Sequence, residues 1–272
     1  MRRARPMLTV SCLLLGSLLS PALAAPVLMP HRAVYDLTLD RASDRSGITG
    51  LSGRMVYEFN GSPCEGYSVK FRFVTQINTN DMSRLTDQQT TTFEDSEGKT
   101  FDFVTKSFID QSLDREVKGT ATREPSGLKV ELEKPQKNSL ELDATQFPTQ
   151  HLVELIEKAE KGETFYETNL FDGSEDADKV MTTTVIIGKK VAASPDDPES
   201  KALSTLSTEP YWPVDIAYFD LENDSGEETP EYRISFKLHE NGLTRDLDMD
   251  YGDFSMKGRL VNLAVFDAPA CK

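Results

Sequence analysis

Apolar residues recur at every second position along most of this chain, and this alternation limits the possible fold more than any other feature of the sequence. Successive side chains of an extended strand point to opposite faces, so a period of two is typical of a sheet with one buried and one solvated face. The clearest run contains Tyr67, Val69, Phe71, Phe73 and Ile77. The pattern predicts a mainly β protein made of many antiparallel strands and tight turns.

One segment, residues 149–162, departs from the alternation and has the spacing of a helix. Thr149 is a residue type that caps helix N-termini, and Gly162 is one that ends helices in a left-handed turn. The apolar positions between them recur at helical intervals: Leu152, Val153, Leu155, Ile156 and Ala159. We expect this single principal helix to close one mouth of a curved sheet or to fill its concave face.

Turn residues divide the rest of the chain into hairpins. The strongest turn signal is Asn241-Gly242, and Ser96–Gly98 and Pro125–Gly127 are similar. Three polar segments are predicted to be loops: Asn78–Gln89, Ala192–Glu209 and the acidic Leu221–Pro230. We expect residues 25–272 to form one domain, an antiparallel β-spiral or barrel-like curved sheet, since rolling a sheet of many strands protects its edges.

Residues 1–24 have the three parts of a secretory signal peptide. Arg2, Arg3 and Arg5 precede an apolar run over 8–19, and Ala22-Leu23-Ala24 is a small-residue cleavage site. A membrane anchor is the alternative, but the run is shorter than the roughly 20 residues that a spanning helix needs. We therefore expect cleavage before Ala25 and an exported protein without a transmembrane anchor.

The chain is strongly acidic, with a formal net charge of −15 that becomes more negative when the signal arginines are removed. This charge argues against nucleic acid and against anionic lipid head groups as electrostatic partners. Of the three cysteines, Cys12 lies in the signal segment, which leaves Cys64 and Cys271. In an exported chain such a pair is expected to form a disulfide.

The sequence contains no convincing catalytic, cofactor or metal motif. His31, His151 and His239 have no metal-ligand spacing and are interpreted as surface or capping residues. Acidic residues over 172–178 resemble the start of a calcium loop, but position six is Ala177 instead of glycine, which favours an acidic hairpin turn. No catalytic residue, metal or cofactor is predicted.

Four segments together resemble the EipB family of periplasmic cell-envelope-integrity proteins from Gram-negative bacteria. The segments are APVLMPHRAVYDLTL, FDGSEDADKVMTTTVIIG, WPVDIAYF and GLTRDLDMDYGDFSMKGRL. The resemblance implies a β-spiral similar to the lipoprotein carriers LolA and LolB, and an internal disulfide at Cys64 and Cys271. It also implies a role in envelope integrity and stress resistance, and association with envelope proteins such as a periplasmic tetratricopeptide-repeat protein.

Three functional hypotheses follow. The first is a non-enzymatic envelope protein that acts through protein contacts. The second is a carrier or binder of a lipid or lipoprotein, with possible ligand contacts on the concave face at Phe71, Phe73, Trp212 and Phe236, which could also be ordinary core residues. The third is a hydrolase of envelope polymers, for which the only plausible cluster is Asp246, Asp248, Asp250 and His239.

Overall fold

The computed structural model describes residues 26–220 and 229–271. The predicted signal segment 1–24 and most of the predicted loop Leu221–Pro230 lie outside these residues. The described strands are β1 (His31–Ala42), β2 (Ile48–Ser62), β3 (Gly66–Thr79), β4 (Ser83–Glu94), β5 (Thr100–Ile109), β6 (Ser112–Glu124), β7 (Gly127–Lys134), β8 (Asn138–Leu142), β9 (Phe165–Leu170), β10 (Met181–Ile187), β11 (Trp212–Phe219), β12 (Tyr232–Leu238), β13 (Thr244–Asp250) and β14 (Phe254–Val265). The prediction of a mainly antiparallel β fold is confirmed.

These strands form one fourteen-stranded sheet in the order β8-β7-β6-β5-β4-β3-β2-β1-β14-β13-β12-β11-β10-β9. Two meanders, β1 to β8 and β9 to β14, are joined where the first strand pairs with the last. The sheet coils so far that the segment after β8 meets the opposite edge strand, with Gln146 bridging Leu170 and the Phe171 N–H donating to the Gln146 carbonyl at 3.0 Å. The result is a curved sheet with a protected concave face.

The principal helix, α1 (Pro148–Glu160), lies close to its predicted position. Its buried face includes Leu155, Ile156 and Ala159, and Gly162 follows its end at φ 76°. The prediction that Thr149 caps the helix is wrong, because Phe147 is the N-cap and Pro148 occupies the first turn. The Thr149 N–H donates instead to Oε1 of Glu94 on β4, at 2.6 Å.

Two hydrophobic clusters divide the interior of the coil. The larger one packs α1 against β1, β2 and the strands of the second meander. The smaller one lies against β5, β6 and β7 and contains four aromatic rings in contact: Phe101, Phe103, Phe147 and Phe171. Since the larger cluster is anchored by α1, the helix fixes one wall of the concave face.

The prediction of a loop over Asn78–Gln89 is wrong. The strands β3 and β4 occupy nearly all of this segment and leave only a short turn between Thr79 and Ser83. Threonine and arginine side chains stabilise the pair across the strands: the hydroxyls of Thr75 and Thr86 lie 2.6 Å apart, and Arg72 pairs with Asp87 at 2.8 Å. Polar composition was therefore a poor guide, because threonine favours strands and cross-strand pairs replace apolar contacts.

The segment Ala192–Glu209, predicted to be an exposed loop, is pinned to the sheet. It contains the single-turn helix α2 (Ser200–Leu203) and a 3₁₀ turn over Ser204–Thr208. Glu199, just before α2, is buried, and its carboxylate accepts the N–H of Leu260 at 2.6 Å. A buried carboxylate on a polar segment could not be recognised from composition.

The interpretation of the three histidines as surface or capping residues is wrong, since His31, His151 and His239 are all buried. Each has a partner: Nδ1 of His31 lies 2.7 Å from the Met29 carbonyl, Nε2 of His151 lies 3.3 Å from the Thr183 hydroxyl, and Nε2 of His239 accepts from the Arg245 guanidinium at 2.9 Å. Burial lowers the pKa of His151 and of His239 to about 4, so both rings are neutral.

A disulfide joins Cys64, in the turn between β2 and β3, to Cys271, whose Cα atom lies 5.6 Å from that of Cys64. The bond connects positions 207 residues apart in sequence. Within the described part of the chain, no helix combines the length and the apolar character needed to cross a bilayer.

Candidate functional site: a cavity inside the coiled sheet

A cavity of about 840 Å³ lies on the concave face, between the sheet and the first two turns of α1. The alternation of β1, β2 and β3 directs their apolar residues into it, and β11, β12 and β13 supply the opposite side. Its inner wall includes Tyr35, Met55, Phe59, Val69, Leu155 and Met249. The volume falls in the range of about 300 to 1,000 Å³ typical of small-molecule sites.

Three of the four aromatic residues proposed from sequence line this cavity: Phe71, Phe73 and Phe236. The Phe71 and Phe73 rings stack with their centroids 6.0 Å apart. That any of them contacts a ligand remains a prediction.

The fourth aromatic residue, Trp212, does not line the cavity. It is buried in the larger hydrophobic cluster, and Nζ of Lys190 lies 4.4 Å from its ring centroid. Its β11 neighbours Ile216 and Tyr218 do reach the cavity. Since a strand rises about 3.3 Å per residue, Trp212 lies too far along β11, although it shares their face.

The inner wall carries polar groups that are neutral. The Tyr35 hydroxyl donates to the Thr244 carbonyl at 2.5 Å, and burial raises the pKa of Tyr35 and of Tyr57, so both stay protonated. His151, on the helical wall, is neutral for the same reason. The deep part of the cavity is therefore suited to an apolar group.

Five lining residues are exposed, and we call this set the mouth: Arg115, Ser174, Glu175, Glu231 and Tyr251. One side of the mouth is the acidic turn between β9 and β10, predicted from sequence, whose half-buried Asp172 also lines the cavity. Nη1 of Arg115 pairs with Oδ1 of Asp176 at 2.9 Å, which ties β6 to this turn. The sequence predicted the turn but did not show that it borders a cavity.

Four aromatic rings from β11, β12 and the β13–β14 hairpin form a row that includes one mouth residue, Tyr251. We call this set the tyrosine row: Tyr218, Tyr232, Tyr251 and Phe254. Tyr218 and Tyr232 face each other in register, with centroids 4.2 Å apart and planes 14° apart. The next centroid distances along the row are 6.0 and 5.1 Å. This row was missed because its register depends on how β11 pairs with β12 across a long acidic connection. The alternation along β11 was the one available signal.

The residues considered for hydrolysis do not assemble into a pair of carboxylates sharing a substrate site. Asp246 pairs with Lys237 at 2.9 Å, and Asp250 pairs with Arg41 at 2.9 Å. Asp248 faces Lys257 across the β13–β14 ladder. His239 is buried and accepts its hydrogen bond from Arg245. None of these four residues lines the cavity.

Comparison with known proteins gives a relative and a solved structure that cover most of this chain. The chain is 58% identical over 247 residues to the cell envelope integrity protein EipB of Brucella abortus (strain 2308), covering 90% of this chain and 87% of that protein. The crystal structure of a beta-barrel-like protein of a domain of unknown function from Brucella abortus superposes with a TM-score of 0.87. It is 57% identical and covers 89% of this chain and 100% of that one.

A family-level match extends over nearly the same part of the chain. The EipB-like family profile matches residues 22–267, which include every strand described above, the helix α1 and the whole lining of the cavity. The Brucella abortus crystal structure shares this chain's fold over the same region. On the family match and the identity to EipB together, this chain belongs to the EipB-like family.

Proposed function

We propose that this protein acts in the periplasm as a non-enzymatic cell-envelope-integrity protein and that it holds the acyl chain of an envelope amphiphile in its cavity. The periplasmic location is supported by the signal-like segment 1–24, and the envelope role by the name of the 58% identical relative. The lipid or lipoprotein ligand is supported by the cavity itself.

The observation that carries this proposal is the contrast between the two ends of the cavity. The inner wall is made of aliphatic and aromatic side chains together with neutral polar groups, whereas the charged lining residues gather at the mouth and the acidic turn. Each methylene moved from water into such a wall contributes about 0.8 kcal/mol to binding. An amphiphile with one long chain and a polar head matches this distribution.

The non-enzymatic part of the proposal is supported by the arrangement of the acidic residues. The row Asp246, Asp248 and Asp250 lies on a strand face directed away from the cavity, with Lys237 and Arg41 as partners of its two ends. A glycosidase-type reaction needs one desolvated acid and one ionised carboxylate on either side of a bond. The carboxylates that do line the cavity, Asp172, Glu175 and Glu231, belong to its mouth and the acidic turn, and Glu175 and Glu231 share the ammonium group of Lys179.

The experiment compares two tryptophan substitutions on one strand. Val69→Trp fills the cavity, since Val69 lies on its wall, whereas Val74→Trp places the same ring on the outer face of β3, opposite Arg54 and Asp87. The affinity for a monoacyl lipid is measured by displacement of a neutral naphthyl fluorophore. We expect Val69→Trp to weaken this affinity at least about tenfold. Val74→Trp should change the affinity less than about twofold.

Both variants are also expressed in a strain that lacks the gene, and growth on detergent is measured once circular dichroism has shown that each variant folds. We expect Val74→Trp to restore detergent resistance and Val69→Trp to fail. Two outcomes would contradict the acyl-chain proposal. The first is that a folded Val69→Trp protein restores detergent resistance. The second is that the lipid does not displace the fluorophore from the unmodified protein.

The first of those outcomes would favour a second candidate, action through contacts with other envelope proteins, such as a tetratricopeptide-repeat protein. One observation favours it: the edge strand β9 and its neighbour β10 carry two exposed apolar residues. Phe165 and Ile186 face each other in register and are 60% and 53% exposed. Exposed apolar pairs at a sheet edge are suited to contact with another chain.

A further inference from the structure

The mouth of the cavity carries more negative than positive charge. Of the charged residues that line the cavity in the described part of the chain, Arg115 is the only cation, whereas Asp172, Glu175 and Glu231 are carboxylates. An entering head group meets this charge first. Because opposite charges attract in the partly desolvated entrance, a head group with a positive charge is favoured over one with a negative charge alone.

The carboxylates at the mouth differ in how they are neutralised. Lys179 pairs with Glu175 at 3.0 Å, with Asp220 at 2.9 Å and with Glu231 at 3.1 Å, so these three carboxylates share one ammonium group. Asp172 instead accepts the backbone N–H of Ser174 at 2.8 Å, and no cation of the described residues lies within ion-pair distance of it. An incoming cation is therefore attracted most strongly to the carboxylate of Asp172.

Two aromatic rings share the cavity lining with this carboxylate. Asp172, Tyr218 and Tyr232 line the same cavity, and the charge of Asp172 adds to the effect of burial in raising the pKa of both tyrosines. The two hydroxyls therefore stay neutral, and the rings bring electron-rich faces to the same lining as a carboxylate. Tyrosine rings combined with a carboxylate are a known way of binding alkylammonium groups.

A group for an anion is available at the mouth as well. Arg115 uses Nη1 to bind Asp176, and both side chains of this pair are largely exposed, at 44% and 63%. Exposed ion pairs contribute little to stability, so a phosphate could replace or join Asp176 at low cost. The remaining N–H donors of the guanidinium suit a phosphate geometrically.

We propose that the mouth selects a zwitterionic phospholipid, with the ammonium of the head group beside Asp172 and the tyrosine row and its phosphate at Arg115. This inference rests on the proposed function and adds the class of ligand: phospholipids such as those with ethanolamine or choline heads are preferred to glycerol-headed, anionic ones. The acyl chain occupies the inner wall in either case.

The test uses the purified mature protein, delipidated, and two monoacyl probes with the same acyl chain: lysophosphatidylcholine and lysophosphatidylglycerol. Dissociation constants are measured at fixed ionic strength by displacement of the neutral naphthyl fluorophore. We expect the choline lipid to bind about tenfold more tightly than the glycerol lipid. Asp172→Asn should reduce this preference to less than about threefold.

The matched control is Asp178→Asn, which removes the same charge from an exposed residue of the same turn that does not line the cavity. It should leave the preference unchanged. Tyr232→Leu should lower the preference as Asp172→Asn does, whereas Tyr232→Phe, which keeps the ring, should not. Arg115→Gln should weaken both phospholipids but not a monoacylglycerol, which has no phosphate.

The results separate this inference from the proposed function. If both phospholipids bind the unmodified protein equally, or if Asp172→Asn and Asp178→Asn have the same effect, selection by the mouth is wrong while acyl-chain binding stands. If neither phospholipid displaces the fluorophore, both proposals fail. Tighter binding of the glycerol lipid than of the choline lipid would contradict the preference of the mouth for a positively charged head group.

Discussion

Arg245 is the centre of a buried network of charged side chains. It is 1% exposed, and its Nη1 pairs with Asp197 at 2.8 Å and with Glu199 at 3.0 Å. Burial raises the pKa of Glu199. Burial acts in the same direction on Asp197, but hydrogen bonds from the Glu199 N–H, Arg245 and Lys237 outweigh it and lower the pKa of Asp197 to about 2. The guanidinium thus holds the segment that contains α2 against β13.

We predict that Arg245→Met lowers the free energy of unfolding by about 3 to 5 kcal/mol, because it leaves the buried Glu199 carboxylate without its cation and Asp197 with Lys237 alone. Arg41→Met is the control: it breaks the exposed pair with Asp250 and should cost less than about 1 kcal/mol. Urea denaturation followed by circular dichroism measures both. Equal losses in the two variants would show that burial of the Arg245 network adds nothing to stability.

At the scale of elements, α1 depends on a strand that is distant in sequence. Glu94, at the end of β4, is buried and accepts the Thr149 N–H at 2.6 Å, which satisfies one of the free donors at the helix N-terminus. Because the cap comes from outside the helix, it also fixes where α1 lies over the cavity. The side chain of Gln150 is nearby and is held by Arg123 at 2.6 Å.

We predict that Glu94→Ala destabilises the protein by about 1 to 2 kcal/mol, the usual cost of losing an N-cap acceptor. Glu97→Ala, three residues further along, is the control, because Glu97 is exposed and pairs only with the exposed Lys99. It should change stability by less than about 0.5 kcal/mol. Thermal unfolding of both variants gives the comparison. A loss in Glu97→Ala as large as that in Glu94→Ala would contradict the cap.

These elements also show which features of the fold and of the cavity can be predicted from the sequence. Local signals sufficed for the helix, since its apolar spacing and Gly162 are contained in one segment, and for the Asn241-Gly242 hairpin. They failed for Glu94 and Glu199, whose partners are 55 and 61 residues away in sequence. The cavity was foreseen only as a concave face. Its charged mouth depends on contacts, such as Arg115 with Asp176, that form when the sheet coils.

At the scale of the whole molecule, the fold is a long sheet whose two ends must be held in the coil. The pairing of β1 with β14 joins the two meanders, and the Phe266 N–H donates to the Pro30 carbonyl at 2.9 Å beside it. The disulfide between Cys64 and Cys271 fastens the C-terminus to the turn between β2 and β3. Every strand from β3 to β14 lies within the loop that this bond closes, so the bond restricts the unfolded chain strongly.

We predict that Cys64→Ser lowers the free energy of unfolding by about 2 to 5 kcal/mol, the upper value being the loop-closure limit for so long a loop. The measurement is urea denaturation of the mature protein with and without reductant. Cys271→Ser is the matched control and should give the same loss, as should the double variant, because either change removes the same bond. Reductant should lower the unmodified protein to the stability of the variants and leave the variants unchanged. An additive loss in the double variant would mean that the two cysteines act separately, and equal stability of all four proteins would show that the coil is held by strand pairing alone.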